Sequence, residues 1–309
     1  MVNLKRNILQ SLAIMFTCLA VTAAAQEVKE ANPPVDGNFD WRGYRVHYQR
    51  VGPRIHEATK ATDAIILLHG FGTSTYTWRH NITWIGTSRR IYSIDLLGFG
   101  KSDKPEITYS PQVWANLVNE FMIARHIKKV SLIGHSLGGL VACRVALKFP
   151  EKLDRLVLVA PMGLRPVSQT PWRISLTPVL GSLLTRFAFD KEQVEESLRE
   201  DLYFDPTLVG KNDVEAYWKP YSSAQARKVL TAVVRSSELW TLAGELDRID
   251  APTLIIWGDK DKMLDVAQAA AFHKQIPDAK FIILPACGHL PHEERPEDVN
   301  KGIRAFLGL

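Results

Sequence analysis

Past its first 25 residues, the chain has no apolar run long enough to cross a bilayer, so no later membrane span is expected. Cysteine is scarce: three residues in 309 are too few for a disulfide framework. Cys143 and Cys287 either pair in an oxidising compartment or serve as two small buried hydrophobes, and the second reading is favoured. No Cys/His cluster has metal-ligand spacing, so no metal site is expected. Basic blocks are missing too. The 38 Lys and Arg are scattered among 33 acids, giving a formal charge of +5. That distribution is a solvated surface and argues against nucleic acid as a partner. Internal repeats and low-complexity tracts are absent, which removes solenoids and disordered scaffolds.

What remains is an ordinary globular composition, 46% hydrophobic, with material for a large core. The amino terminus reads as an export signal. Lys5 and Arg6 precede an apolar stretch from Ile8 to Ala20, and Ala23-Ala24-Ala25 closes it before Gln26. Cleavage of residues 1–25 would send the protein to the periplasm or outside the cell. The alternative is an uncleaved membrane anchor, although Gln10 and Ser11 interrupt a run that is barely long enough to span. Lipid attachment at Cys18 is disfavoured, because Phe16 and Thr17 precede it rather than small residues. Asn32-Pro-Pro-Val-Asp-Gly37 reads as a linker.

The rest of the chain alternates strand and helix signals. Tyr44–Val51 has period-two patterning. A short continuous apolar run at 64–68 suits a strand buried on both faces, 90–94 is another, and further strands are expected at 130–133, 153–159, 253–257 and 280–284. Helical spacing separates them at 111–127, 137–149 and 266–275, and 297–307 closes the chain as a helix. This order predicts an α/β fold with a mostly parallel sheet covered by helices. The alternation breaks between Pro161 and Asp250. That aromatic-rich segment has helical patterning and reads as an insertion. The expected organisation is a core of residues 26–160 and 249–309 with a helical cap at 161–248.

In open parallel sheets, ligands sit beyond the carboxyl ends of the strands. The chemistry-bearing residues follow that rule. Gly134-His-Ser-Leu-Gly138 lies between a strand and a helix and fits Gly-x-Ser-x-Gly. Its glycines make room for a sharp turn that pushes the Ser136 hydroxyl out of the sheet. Side chains at Gly134 and Gly138 would meet backbone, and Gly139 is expected to let the helix approach the sheet. The bland alternative is a serine that merely caps the helix. A serine hydroxyl needs a base to take its proton, and the base needs an acid to orient it. Asp261, in Gly258-Asp-Lys-Asp261, and His289, in Gly288-His289, follow two later strands and supply both. Asp259 is expected to shape its turn instead. His135 should point away from the serine hydroxyl and pack or hydrogen-bond, while His273 and His292 are structural or exposed. The amides of Leu137 and of Phe71, in His69-Gly-Phe-Gly72, are the candidates for an oxyanion hole. Gly98-Phe-Gly-Lys-Ser102 mimics a phosphate loop. Its required earlier glycine is Asp95, and Pro105 blocks the helix that should follow. Asp95 is read as a loop organiser.

Together, His69-Gly-Phe-Gly72, Asp95-x-x-Gly-x-Gly-x-Ser102, Gly134-His-Ser-Leu-Gly-Gly139, Trp257-Gly-x-x-Asp261 and Gly288-His-x-Pro-His292 resemble the α/β-hydrolase superfamily. Within it the chain is similar to small bacterial esterases and lipases. The resemblance implies the α/β-hydrolase fold, with an eight-stranded, mostly parallel core and a helical cap. It also implies Ser136, Asp261 and His289 as a catalytic triad, with no cofactor. Relatives that are haloalkane dehalogenases or epoxide hydrolases carry aspartate at the nucleophile position, and Ser136 argues against both. The expected partner is a small-molecule ester with an apolar acyl group. Lactones, amides and diketone C–C bonds are alternative substrates, and a slow-turnover ligand binder is an alternative role.

Overall fold

The computed structural model describes residues 33–52, 63–85, 89–164, 190–236 and 240–309. The expected signal, its cleavage point and residues 165–189 of the expected cap lie outside the described residues.

Eight strands form one sheet in the order β1-β2-β4-β3-β5-β6-β7-β8. They are β1 (Val35–Trp41), β2 (Tyr44–Val51), β3 (Asp63–Leu68), β4 (Arg90–Ile94), β5 (Lys129–His135), β6 (Leu153–Val159), β7 (Thr253–Gly258) and β8 (Lys280–Leu284). Pairing is antiparallel for β1 with β2 and for β2 with β4, and parallel for every pair from β4 to β8. The central strands carry apolar side chains on both of their faces because helices cover both sides of the sheet. In β3, Ile66 and Leu68 enter one core with Trp114, Leu140 and Phe272, from helices Pro111–Ala124, Leu137–Lys148 and Ala267–Gln275. Ile65 and Leu67 enter the other with Trp78, Ile82, Val299 and Ile303. The period-two alternation therefore feeds two cores, and each such side chain contributes about 1.5–3 kcal/mol on burial.

The sequence reading is corrected at the start of the sheet. Val35-Asp-Gly37 was expected in a linker, but these residues open β1. The strand was hidden because most of its side chains are exposed or half-buried and it sits at an edge. What makes it a strand is its turn. Arg42 and Gly43 both have positive φ, 56° and 86°, as a two-residue hairpin turn requires, and the Gly43 amide donates to Asp40 Oδ1 at 3.1 Å.

Between β6 and β7 the described residues are helical, with no strand. The elements include Lys191–Ser197, a π-helical turn at Leu198–Leu202, Lys211–Trp218 and Ala224–Ser236. Cys143 and Cys287 are both buried free thiols, and burial raises the pKa of each.

Candidate active site

The turn between β5 and helix Leu137–Lys148 places Ser136 at φ 51°, ψ −113°, a region that L-residues rarely visit. Such strain costs on the order of 1–3 kcal/mol and persists only where the surroundings enforce it. Here they do. The Ser136 amide donates to the Val159 carbonyl at 3.0 Å, and the Ser136 carbonyl accepts from Gly139, Leu140 and Met162 at 3.0, 3.2 and 3.1 Å. Two glycines make the turn sterically possible. A Cβ on Gly134 would lie 2.3 Å from the Gly138 carbonyl oxygen, and one on Gly138 would lie 2.2 Å from that of Leu68. Gly139 does the job expected of it and a second one. A Cβ there would lie 3.2 Å from the Gly134 carbonyl oxygen of β5, so the helix lies close to the sheet. It would also meet Pro161 at 2.8 Å, so this glycine clears the chain leaving β6. The Ser136 side chain makes no capping hydrogen bond, which disposes of the capping alternative.

Asp261 and His289 meet. His289 Nδ1 lies 2.8 Å from Asp261 Oδ2, with both side chains buried. The same oxygen accepts from Trp257 Nε1 at 2.9 Å, while Oδ1 accepts the Met263 and Leu264 amides at 2.8 and 2.9 Å. A carboxylate with this many donors is fixed in place and makes Nδ1 the protonated nitrogen, leaving Nε2 free to accept. Asp261 therefore shapes its own turn as well, the job expected of Asp259. Asp259 instead pairs with Lys260 at 3.2 Å, and its Oδ1 is buried without a partner. The acid and base loops touch at Gly258, where a Cβ would lie 2.2 Å from the Cys287 carbonyl oxygen.

The loop after β3 completes the group. A Cβ on Gly70 would come within 3.4 Å of Ser136 Cβ, so this loop lies against the elbow. The Gly70 carbonyl accepts from His69 Nδ1 at 2.8 Å and from Thr73 Oγ1 at 3.1 Å. In a trans peptide the N–H points opposite to the C=O, so these bonds also aim the Phe71 amide. His69 Nε2 accepts the Leu96 amide at 3.0 Å, and burial holds the ring's pKa below its usual value. His69 is thus a neutral brace between two strand-end loops. Leu137 occupies the first position of its helix, where the amide has no partner within the helix.

His135 packs and hydrogen-bonds, as expected. Its Nε2 lies 2.9 Å from the His289 carbonyl oxygen, and its ring centroid is 4.9 Å from that of His289 and 4.6 Å from that of His292. His292 is fully buried, with Nε2 2.7 Å from Thr77 Oγ1. Burial, followed by neighbouring cationic groups, pushes both imidazoles well below the ordinary histidine range. His273 is exposed and packs on Phe281.

The phosphate-loop mimic is filled by Asp95. Its carboxylate accepts the Thr75 and Lys101 amides at 2.6 and 2.8 Å and pairs with His47 Nδ1 at 2.8 Å. A phosphate has no place beside a fully buried carboxylate that already takes up the Lys101 amide of the loop. Among the described residues, no group of three His, Cys, Asp or Glu side chains is placed to hold a metal ion.

Residues 65–301 match the model of the alpha/beta hydrolase family. The chain belongs to that family. An uncharacterized hydrolase of Bacillus subtilis is 27% identical over 90% of this chain and 99% of its own. The 2-hydroxy-6-oxo-6-(2'-aminophenyl)hexa-2,4-dienoic acid hydrolase of Metapseudomonas resinovorans is 28% identical over 83% of this chain and 88% of its own. Among solved structures, a bacterial membrane phospholipase A superposes with a TM-score of 0.69 at 24% identity, covering 89% of this chain and 86% of that one. That last likeness is one of fold.

Sequence reasoning missed several partners in this region. His47 gave no signal as the partner of Asp95, because it sits mid-strand in β2. Glu293 and Glu294 were passed over beside the His289 motif, although two adjacent glutamates that end up buried are unusual.

Proposed function

We propose that this alpha/beta hydrolase cleaves carboxylic esters through an acyl-serine intermediate, without a cofactor. The observation that carries the proposal is the buried Asp261–His289 pair at 2.8 Å, on a loop bonded to His135, the residue before a serine held at a strained, glycine-flanked turn. Ser136 Oγ attacks the ester carbonyl carbon while His289 Nε2 takes its proton. Asp261 keeps the imidazole in the productive tautomer and stabilises the cation that forms. The Leu137 and Phe71 amides receive the oxyanion. The intermediate collapses, the alcohol leaves with the proton from His289, and the acyl group stays on Ser136. Water, deprotonated by His289, then releases the acid. The residues between β6 and β7 supply apolar and aromatic side chains, which favours uncharged acyl groups.

A fluorophosphonate should label Ser136 with one-to-one stoichiometry, and Ser136→Ala should lose both labelling and p-nitrophenyl butyrate hydrolysis while folding normally. Labelling of another serine together with loss of activity would overturn the assignment. The Metapseudomonas relative supports a second reading, in which the same serine machinery cleaves a C–C bond in a diketone of the dienoic acid type. A substrate panel separates the two: turnover of the dienoic acid without turnover of p-nitrophenyl esters selects the second.

A further inference from the structure

His289 is not held by the core alone. Its backbone amide donates to the Leu202 carbonyl at 2.8 Å, a residue of the π-helical turn in the segment between β6 and β7. The preceding residue has no side chain for a visible reason. A Cβ on Gly288 would lie 2.5 Å from the Leu202 carbonyl oxygen and 2.8 Å from the Phe204 nitrogen. The backbone of 202–204 therefore lies directly on the base loop.

One carboxylate joins the two. Glu294 Oε1 accepts the Gly288 amide, while Oε2 accepts the amides of Phe204 and, at 2.9 Å, Asp205. Three backbone donors from two distant segments thus converge on a single buried side chain. Charged acceptors make the stronger hydrogen bonds, and a carboxylate is the only side chain that accepts with both ends. The acid loop is tied to the same stretch, because Lys262 Nζ donates to the Glu200 carbonyl at 2.6 Å. The neighbouring Glu293 is engaged differently. It accepts from the side chains of Thr77, Arg79, Tyr203 and Tyr217.

We propose that Glu294 is a positioning residue that docks the segment Leu202–Asp205 onto the base loop and thereby sets the place of His289 over Asp261. The inference rests on the serine-hydrolase reading given above. It makes this part of the cap a structural member of the catalytic apparatus, beyond any role in substrate choice. The Glu293 carboxylate also holds Tyr203 of that segment, but to Thr77, Arg79 and Tyr217 rather than to the Gly288 amide of the base loop.

The test is Glu294→Gln, which keeps shape but turns one acceptor into a donor facing an amide. Loss of registration of this kind costs rate steeply. The expected result on p-nitrophenyl butyrate is a kcat lower by about 10- to 100-fold with KM within about twofold. Phosphonylation of Ser136 should slow in parallel, and the far-downfield proton resonance of the Asp261-bound imidazole should shift or broaden. Glu293→Gln should lower the melting temperature and leave that resonance in place. A folded Glu294→Gln protein with wild-type kcat, labelling rate and resonance overturns the proposal. If that variant does not fold, Gly288→Ala decides. It spares the carboxylate but forces a methyl group against Leu202, so the same kcat signature supports the proposal and unchanged kinetics overturn it. Wild-type protein that is not phosphonylated at Ser136 sinks the serine reading and this one with it. A labelled wild type beside an unaffected variant sinks this one alone.

Discussion

The molecule contains two buried Asp–His pairs with the same Nδ1–Oδ2 separation, 2.8 Å, at the ends of different strands. Asp95 with His47 lies beyond β4, and Asp261 with His289 lies beyond β7. Both carboxylates also accept two backbone amides. The pairs differ in what the far side of each imidazole meets. His47 Nε2 is buried and faces Asp36 at 3.4 Å across the sheet edge. His289 belongs to a loop that His135, the neighbour of Ser136, grips by its carbonyl. An Asp–His pair is thus an ordinary way to organise a loop, and only its neighbours turn it into candidate machinery.

The comparison can be broken most decisively at the acids. Asp261→Asn should cut ester turnover by about 10⁴-fold, because the imidazole loses its productive tautomer, with the fold retained. Asp259→Asn should leave turnover close to wild type. Equal loss from both, measured as kcat on p-nitrophenyl butyrate, would deny Asp261 its special place. Asp95→Asn should act on the other axis. It weakens a buried carboxylate that holds two amides and an imidazole, so unfolding free energy in urea should fall by about 2–4 kcal/mol.

Acid titration gives a finer contrast. Burial pushes the Asp95 pKa up, but the hydrogen bond from His47, the nearby imidazoles and the Lys101 amide outweigh it and leave the carboxyl below its usual value. A carboxyl with a depressed folded pKa lends stability that is present above its unfolded value, about 3.9, and lost as pH falls through the folded one. His69, His135 and His292 are depressed histidines, all by burial first. The unfolded chain takes up protons at these sites below about pH 6.5, so their contribution is also lost on acidification, at up to about 1.4 kcal/mol per pH unit for each group. Urea midpoints from pH 7.5 to 3 should decline in two stages. Asp95→Asn should flatten the stage below about pH 4 and leave the upper one intact. A single stage in wild type would contradict this account.

These contrasts also mark what the sequence makes legible. Ser136, Asp261 and His289 can be read because tight turns demand glycine at fixed offsets and strand order fixes which loops meet. The central strands can be read because burial on both faces gives them short, mainly apolar runs. β1 could not be read this way, since an edge strand with exposed faces has no apolar signature and depends on a partner, β2, for its definition. The Glu294 clamp was invisible for a related reason. Its acceptor atoms serve backbone amides about 90 residues away, and a backbone donor leaves no mark on residue identity. The Arg79 bridge between Glu293 and Asp213 spans 214 and 134 positions in sequence and is equally silent locally.

The strand order has a consequence for how such a chain comes into being. From β5 onward, each strand is laid beside the one made just before it, with β6, β7 and β8 added in turn to the same edge. The elbow belongs to β5, whereas Asp261 and His289 follow β7 and β8. A polypeptide emerging from the ribosome therefore exposes its serine more than a hundred residues before its base. On the proposed chemistry, any fragment ending short of residue 289 lacks the base that Ser136 needs. A truncated or stalled product is then hydrolytically silent, and activity arrives only when the last strand has docked.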